Sequence, residues 1–123
     1  MKKILIVEDN SDIIECFKCQ LERYDFEVEY IRDNFENCLN TIAKIKPDVI
    51  LMDIDLNSDA IDGVDLSRRI RGKIEICKTP IIILTCEADE ICRENVINNS
   101  FCEAFLYKTV DIADLITVIK MYI

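Results

Sequence analysis

Acidic, hydroxyl and amino side chains follow directly after short apolar segments of this chain. Glu8 and Asp9 follow one such segment, Asp53 a second, Thr85 a third and Lys108 a fourth. If these segments are parallel strands, their carboxyl ends meet at one edge of a sheet, and the five side chains gather there. Three carboxylates near one point repel each other, and a divalent cation relieves that repulsion. Oxygen ligands in a chain without histidine favour Mg²⁺.

The same group of side chains suits the handling of a phosphoryl group. Lys108 offers a positive charge to an anionic oxygen, and Thr85 offers a hydroxyl donor. A carboxylate can also act as a nucleophile and become an aspartyl phosphate. Phosphoryl transfer depends mainly on positioning and on charge neutralisation, which a metal ion and a lysine provide. The residue types therefore predict metal-assisted phosphoryl transfer to an aspartate.

Short strands are the elements that must position these residues. Residues 4–7, 49–52 and 81–84 are apolar throughout, rich in β-branched side chains and too short for helices. Continuous apolar runs are typical of parallel strands that are covered on both faces. Residues 28–31 and 104–107 are weaker strand candidates.

Helical periods of apolar residues fill the gaps between the strands. The predicted faces are Ile14, Phe17, Leu21 and Tyr24; Phe35, Cys38, Leu39, Ile42 and Ile45; Leu66 and Ile70; and Ile112, Leu115, Ile116 and Ile119. Asp111 and Asp114 are placed like the N-cap and the third residue of the last helix. We also expect a helix over residues 88–98. Five strands that alternate with five helices predict a parallel sheet with right-handed crossovers.

Length and composition favour one globular domain and exclude several classes of protein. The 123 residues are 50% hydrophobic, with two Gly and two Pro, which argues against a disordered or collagen-like chain. The formal net charge of −9 argues against nucleic-acid binding through the phosphate backbone. The absence of His excludes a His-based catalytic triad and any His-ligated metal.

Cysteine usage and hydropathy indicate a cytoplasmic protein without membrane contact. The seven cysteines are odd in number and irregularly spaced, so we expect free thiols rather than a disulfide framework. No run approaches the roughly 18 apolar residues of a membrane span. Cys16 and Cys19 form a single CxxC pair and Cys86 follows Thr85, but neither feature alone predicts a metal or redox site.

Five segments occur in a specific order along the chain. They are Ile4–Asn10, Pro47–Asp53, Asp62–Gly63, Pro80–Thr85 and Phe105–Lys108. Together they resemble a bacterial two-component response-regulator receiver domain, and the resemblance covers essentially the whole chain. It implies one receiver domain over residues 1–123. The implied fold is α/β, a flavodoxin-like doubly wound (βα)5 structure with a five-stranded parallel sheet in the order 2-1-3-4-5.

The resemblance implies a role for each residue of the acidic site. Asp53 corresponds to the phosphoacceptor, Asp9 to a direct Mg²⁺ ligand and Glu8 to a ligand that acts largely through water. Asp53 would also bind the Mg²⁺ ion, to which Asp55 would contribute its backbone carbonyl. Lys108 would contact the phosphoryl oxygens.

The implied function is a phosphorylation-controlled signalling switch, which catalyses only its own phosphorylation and dephosphorylation. Thr85 corresponds to the switch hydroxyl and Phe105 to the aromatic that swings inward with it. From the residues alone, Thr85 as a helix N-cap and Phe105 as a static core residue stay open. The phosphoryl group would come from a sensor histidine kinase, a phosphotransfer protein or a small phosphodonor. In the family, phosphorylation shifts the face formed by the fourth helix, fifth strand and fifth helix, often toward a homodimer.

Three positions depart from the usual pattern of the family. Thr109 stands where a proline usually follows the lysine through a cis bond, so we expect a trans bond with a re-routed loop or a strained cis bond. The loop from Asn57 to Ile61 is longer than usual, which affects access to Asp53. Asn99-Ser100 stands where a glycine usually precedes the fifth strand, and Asn can take a left-handed turn.

Two alternative functions stay open from the sequence. Asp53 and Asp55 resemble the DxD signature of haloacid-dehalogenase-like phosphohydrolases, in which the second Asp is a general acid. In those enzymes the DxD strand usually comes first and the acidic pair near the end, which is the reverse of the order here. The other alternative is a pseudo-receiver that binds a partner without being phosphorylated, which the missing proline and the altered loop allow.

Overall fold

The computed structural model describes residues 1–56, 61–86, 94, 96–98 and 101–123, which contain a five-stranded sheet. The strands are Lys3–Val7 (β1), Glu27–Ile31 (β2), Val49–Asp53 (β3), Ile81–Thr85 (β4) and Ala104–Tyr107 (β5). Neighbouring strands pair in parallel, in the order β2-β1-β3-β4-β5. The predicted fold class and strand order are confirmed.

Helices connect the strands and cover both faces of the sheet. They are Ser11–Glu22 (α1), a 3-10 turn at Phe35–Asn37, Leu39–Ile45 (α2), Gly63–Arg71 (α3) and Ile112–Lys120 (the C-terminal helix). Residues 94 and 96–98 are also helical and belong to the predicted 88–98 helix, whose other residues lie outside the described ranges. Within the described part of the chain, no helix is long and apolar enough to cross a membrane.

Alternate residues of the central strands point to opposite faces of the sheet and build two cores. Leu5 and Ile50 belong to the core that includes buried residues of α2 and α3. Ile4 and Val49 belong to the core that includes buried residues of α1 and the C-terminal helix. All four side chains are fully buried. Burial on both faces explains why these strands are continuous apolar runs in the sequence.

The predicted helical face from Phe35 to Ile45 is interrupted in the structure. Asn34 takes a left-handed conformation with φ of 55°, and a 3-10 turn follows it, so α2 begins only at Leu39. Phe35 and Cys38 nevertheless reach the same core as α2. The apolar spacing therefore continues through the break and does not reveal it.

Two helix ends differ in part from expectation, and a third has a cap that was not predicted. The predicted buried position of Tyr24 is wrong, because α1 ends at Glu22 and Tyr24 is 46% exposed. Asp111 is the N-cap residue of the C-terminal helix, but its side chain makes no capping hydrogen bond. A capping box instead begins α3, where the Asp62 carboxylate accepts the Asp65 N–H and the Asp65 carboxylate accepts the Asp62 N–H.

A side-chain network joins three segments at the amino edge of the sheet. Arg71, at the end of α3, donates to the backbone carbonyls of Thr79 (2.6 Å) and Phe101 (2.9 Å). It also donates to both carboxylate oxygens of Glu103, at 2.5 and 2.8 Å. Glu103 in turn accepts the backbone N–H of Ile81 at 2.7 Å. The network therefore fastens the start of β4 and the segment before β5 to α3.

The loop after β5 follows the trans alternative. The bond between Lys108 and Thr109 is trans, since the described part of the chain contains no cis peptide bond. These two residues form a turn in which the Val110 N–H donates to the carbonyl of Tyr107 at 2.9 Å. Of the other two departures, residues 57–60 of the lengthened loop and both residues 99–100 lie outside the described residues.

Candidate functional site

The carboxyl edge of the sheet brings together residues from four strands. The register between β1 and β3 places Glu8, which directly follows β1, beside Asp53 at the end of β3. β4 and β5 lie on the other side of β3, so Thr85 and Lys108 approach Asp53 from the opposite direction. Parallel pairing thus gathers residues that are up to a hundred positions apart in the sequence.

Three carboxylates and one ammonium group form the centre of the site. One carboxylate oxygen from each of Glu8, Asp9 and Asp53 lies within 4.8 Å of the other two. The Nζ of Lys108 is 2.7 Å from Oε2 of Glu8 and 3.2 Å from Oδ1 of Asp53. Three negative charges therefore face one positive charge, and the ionised cluster has an excess of negative charge.

Burial makes the carboxylates of this cluster harder to ionise. Glu8 and Asp53 are only 3% and 6% exposed. Burial raises the pKa of both groups, and the neighbouring Lys108 ammonium opposes that rise without cancelling it. The pKa of Asp9 is raised first by burial, then by its interactions with Glu8 and by the charge of Asp55. A bound cation would favour the ionised carboxylates and so relieve this cost.

Lys108 is held in place through its side chain and its backbone. Burial alone would lower its pKa, but the hydrogen bond to Glu8 and the charge of Asp53 raise the pKa above its ordinary value. The side chain is therefore charged at neutral pH. Its backbone N–H donates to the carbonyl of Thr85 at 2.6 Å, which ties the end of β5 to the end of β4.

The donor atoms of the cluster fit a Mg²⁺ ion. Mg²⁺ binds oxygen at about 2.0–2.1 Å, so two of its ligands lie at most about 4.2 Å apart. Carboxylate oxygens within 4.8 Å of each other need only small side-chain rotations to share such an ion. Among the described residues, this is the one group of three His, Cys, Asp or Glu with such spacing. Cys16 and Cys19 are free and exposed on α1 and lie outside it.

Two backbone contacts that were not predicted support the cluster. Gly63 donates its N–H to the carbonyl of Ile54 at 2.8 Å, and a Cβ at Gly63 would overlap the carbonyl oxygen of Asp53. Asn10 caps α1 with its side chain, and its own N–H donates to Oε1 of Glu8 at 3.3 Å. The Asp62–Gly63 segment was visible in the sequence, but its close approach to Asp53 arises only on folding.

The other predicted residues lie around the cluster. Thr85 ends β4 and is 9% exposed. Phe105 is half-buried in β5, packs against the core that includes α2 and α3, and meets Tyr107 edge-to-face with ring centroids 5.8 Å apart. Asp55 is exposed, two residues beyond the end of β3, and Cys86 is exposed next to Thr85. Their functional roles stay predictions.

Comparison with known proteins identifies the family. The family model of the response regulator receiver domain matches residues 4–120. The chain belongs to this family. This receiver domain is 30% identical to DivK, a polar-differentiation response regulator of Brucella anthropi. The match extends over 122 residues, which are 99% of this chain and 96% of DivK.

Solved structures of other receiver domains have the same fold. The BeF3-activated N-terminal receiver domain of RstA from Klebsiella pneumoniae matches with a TM-score of 0.86 and 26% identity, covering 98% of this chain and 97% of that one. The receiver domain of a sensor histidine kinase from Pseudomonas aeruginosa matches with a TM-score of 0.85 and 27% identity, covering 98% and 96%. That second structure has a magnesium ion coordinated in its active-site cleft.

Family membership establishes the general character of the protein. Receiver domains are signalling switches of two-component systems and are generally not classed as enzymes. They bind Mg²⁺ at an acidic pocket, and this chain has such a cluster. The family interacts with histidine kinases or phosphotransfer proteins. The predicted family is confirmed.

Proposed function

We propose that this receiver domain accepts a phosphoryl group on Asp53 and thereby switches its output surface. The observation that carries the proposal is the contact of one ammonium group with two buried carboxylates. Nζ of Lys108 lies 2.7 Å from Glu8 and 3.2 Å from Asp53. A phosphoryl oxygen on Asp53 would need a positive charge at this position.

Each residue of the cluster has a separate task in the proposed reaction. A carboxylate oxygen of Asp53 attacks phosphorus and forms an acyl phosphate, while the bond from phosphorus to the donor's leaving group breaks and that group departs with the electron pair. Glu8, Asp9 and Asp53 would hold Mg²⁺ together with the backbone carbonyl of Asp55. When bound, the ion supplies neutralisation of charge on the transferred group. Lys108 exchanges its contacts with carboxylates for contacts with phosphoryl oxygens.

The switch is proposed to run along the β4–β5 side of the site. Thr85 would donate its hydroxyl to the phosphoryl group, and Phe105 would turn further into the core beneath it. The hydrogen bond from the Lys108 N–H to the Thr85 carbonyl couples the ends of the two strands. The output face would consist of the helical residues between β4 and β5, β5 itself and the C-terminal helix. A sensor histidine kinase, a phosphotransfer protein or a small phosphodonor would supply the phosphoryl group, and a homodimer through this face is one proposed output.

Intact-mass measurement tests the proposed acceptor. Incubation with Mg²⁺ and acetyl phosphate should add one phosphoryl group to the wild-type protein and none to Asp53→Asn. Asp114→Asn is a matched control, because Asp114 is exposed in the first turn of the C-terminal helix and loses the same charge far from the cluster. Wild-type protein that gains no mass would reject the proposal.

The Asp55→Asn variant separates the proposal from the phosphohydrolase alternative. This variant keeps the backbone carbonyl, so we expect both Mg²⁺ binding and phosphorylation of Asp53 to persist. A phosphohydrolase that uses Asp55 as a general acid would instead turn over a phosphomonoester continuously and lose that activity in the variant. A Mg²⁺ titration of the wild-type protein that shows no binding would favour the pseudo-receiver alternative.

A further inference from the structure

A groove beside the acidic cluster contains a cation that the proposed reaction does not use. The groove has a volume of about 430 Å³, and Asp9, Ser11, Arg32 and Leu56 are among its lining residues. Because Asp9 also belongs to the acidic cluster, the groove opens directly from the proposed metal site. A small molecule that reaches Asp53 from this side would pass Arg32.

Arg32 is positioned by the fold and has donors to spare. It is the first residue after β2, so it lies at the same edge of the sheet as the acidic cluster. Its NH1 group donates to the Ser11 hydroxyl at 3.0 Å. No carboxylate in the described part of the chain forms an ion pair with Arg32 within 4.0 Å, although Asp9, Asp33 and Glu36 line the same groove. A guanidinium has five N–H donors, so most of them can bind a ligand.

The strand order places a cation on each side of Asp53. Lys108 approaches from the β5 side, and Arg32 stands at the end of β2 on the opposite side. A small acyl phosphate also has two groups that a cation can bind, the anionic phosphoryl group and the acyl oxygens, which gain negative charge as they leave. We propose that Arg32, oriented by Ser11, binds the leaving-group oxygens of a small acyl phosphate in this groove. This inference rests on the proposed phosphorylation of Asp53.

The chemistry of the transfer explains why a cation is needed there. A carboxylate oxygen of Asp53 forms a bond to phosphorus while the bond from phosphorus to the acyl oxygen breaks. The leaving group takes that electron pair and departs as a carboxylate. A guanidinium binds a carboxylate through two parallel N–H donors, and this contact strengthens as the negative charge develops. With phosphoramidate, whose nitrogen carries the additional proton, the phosphorus–nitrogen bond breaks, the nitrogen keeps the electron pair and neutral ammonia departs, so Arg32 has no leaving-group oxygen to bind.

Two phosphodonors applied to Arg32→Gln test the inference. We expect the rate of Asp53 phosphorylation by acetyl phosphate to fall about ten-fold, which corresponds to about 1.4 kcal/mol. The rate with phosphoramidate should stay within about two-fold of the wild-type rate, because its leaving group offers no oxygen to Arg32. A two-fold change corresponds to well under 1 kcal/mol. Arg32→Lys keeps the charge but loses the paired donors, so its rate with acetyl phosphate should be intermediate. Mass spectrometry gives both rates.

Controls separate this inference from general electrostatic effects. Arg23→Gln removes the same charge from an exposed residue at the end of α1 that is remote from Ser11, and it should leave both rates unchanged. Equal slowing of both donors in Arg32→Gln, or no slowing of either, would overturn the inference while Asp53 phosphorylation still stands. Wild-type protein that accepts phosphate from neither donor would instead overturn the proposed function, and the inference with it.

Discussion

Removing the negative charge of Asp53 should make the protein more stable when no divalent cation is present. Asp53→Asn keeps the shape of the side chain and removes two repulsive pairs, with Glu8 and with Asp9. Each pair lies within 4.8 Å and contributes at least about 3.5 kcal/mol at an effective dielectric constant of about 20. The lost attraction to Lys108 at 3.2 Å is about 5 kcal/mol on the same scale. The two lost repulsions therefore exceed the lost attraction by about 2 kcal/mol.

Urea and thermal denaturation with a chelator measure this effect. We expect the free energy of unfolding of Asp53→Asn to rise by about 1–2 kcal/mol and the thermal midpoint by about 4–8 °C. Addition of Mg²⁺ should make the wild-type protein more stable than Asp53→Asn. At about one hundred times its Kd, a ligand adds about 2.7 kcal/mol to the stability of the protein that binds it. The variant, which lacks one proposed ligand, should gain less than the wild-type protein.

The pH dependence of this difference has a defined sign. Burial raises the pKa of Asp53, so the unfolded chain loses this proton at a lower pH than the folded chain does. The group therefore reduces stability as the pH rises through the ordinary aspartate value of about 4. The advantage of Asp53→Asn should be larger at neutral pH than at pH 4. Asp114→Asn should not stabilise the protein and should cost at most about 1 kcal/mol, because it removes a negative charge from the first turn of a helix. An Asp53→Asn variant that is less stable at neutral pH, or as strongly stabilised at pH 4, would refute the charge argument.

Three other perturbations test a contact beside the site, the network at the amino edge of the sheet and a thiol in the core. Gly63→Ala should destabilise the protein by about 1–3 kcal/mol in urea denaturation, because its Cβ overlaps a backbone carbonyl. Gly72→Ala is the matched control, since its Cβ meets nothing closer than 3.5 Å, and equal effects would contradict the overlap. Arg71→Lys should cost about 1–3 kcal/mol because an ammonium cannot replace the paired donors, and unchanged stability would show that the network contributes little. Burial raises the pKa of Cys38 to about 11, so this thiol should resist alkylation at pH 8 while Cys16 reacts, as peptide mass spectrometry can show. For the same reason, stability should fall as the pH rises above about 9, where the unfolded thiol ionises first.

The strands could be predicted from sequence because both faces of the sheet are covered. Leu5 and Ile4 point into different cores, yet both must be apolar, so the run is continuous. The break before α2 could not be predicted in this way. Phe35 and Cys38 keep the helical spacing, while the left-handed turn at Asn34 interrupts the backbone. Hydrophobic spacing reports which side chains are buried, and it does not report a local change of backbone direction.

The residues of the site that lie at the ends of strands could be predicted from the sequence. Glu8, Asp53 and Lys108 meet because each follows or ends a parallel strand. The direct contact of Lys108 with Glu8 depends on side-chain conformation, which spacing along the chain does not encode. The overlap of a Gly63 side chain with Asp53 depends on how closely α3 approaches β3. Arg32 directly follows β2, so the rule that residues after parallel strands meet at one edge of the sheet also applies to it. The sequence did not reveal it because the apolar pattern of β2 is weak.

β5 is fastened very differently at its two ends. Just before the strand, Glu103 is locked to Arg71 and to the start of β4 by hydrogen bonds. Just after it, Lys108 contacts the carboxylates of Glu8 and Asp53, and binding of a cation or phosphorylation of Asp53 would change these contacts. Because the amino end of β5 is fixed by the bonds of Glu103, a force on its carboxyl end would displace that end more than the amino end. A new partner for Lys108 would therefore act on the carboxyl end of β5 and, through the Thr85 carbonyl bonded there, on the end of β4, so Tyr107 should move more than Ala104.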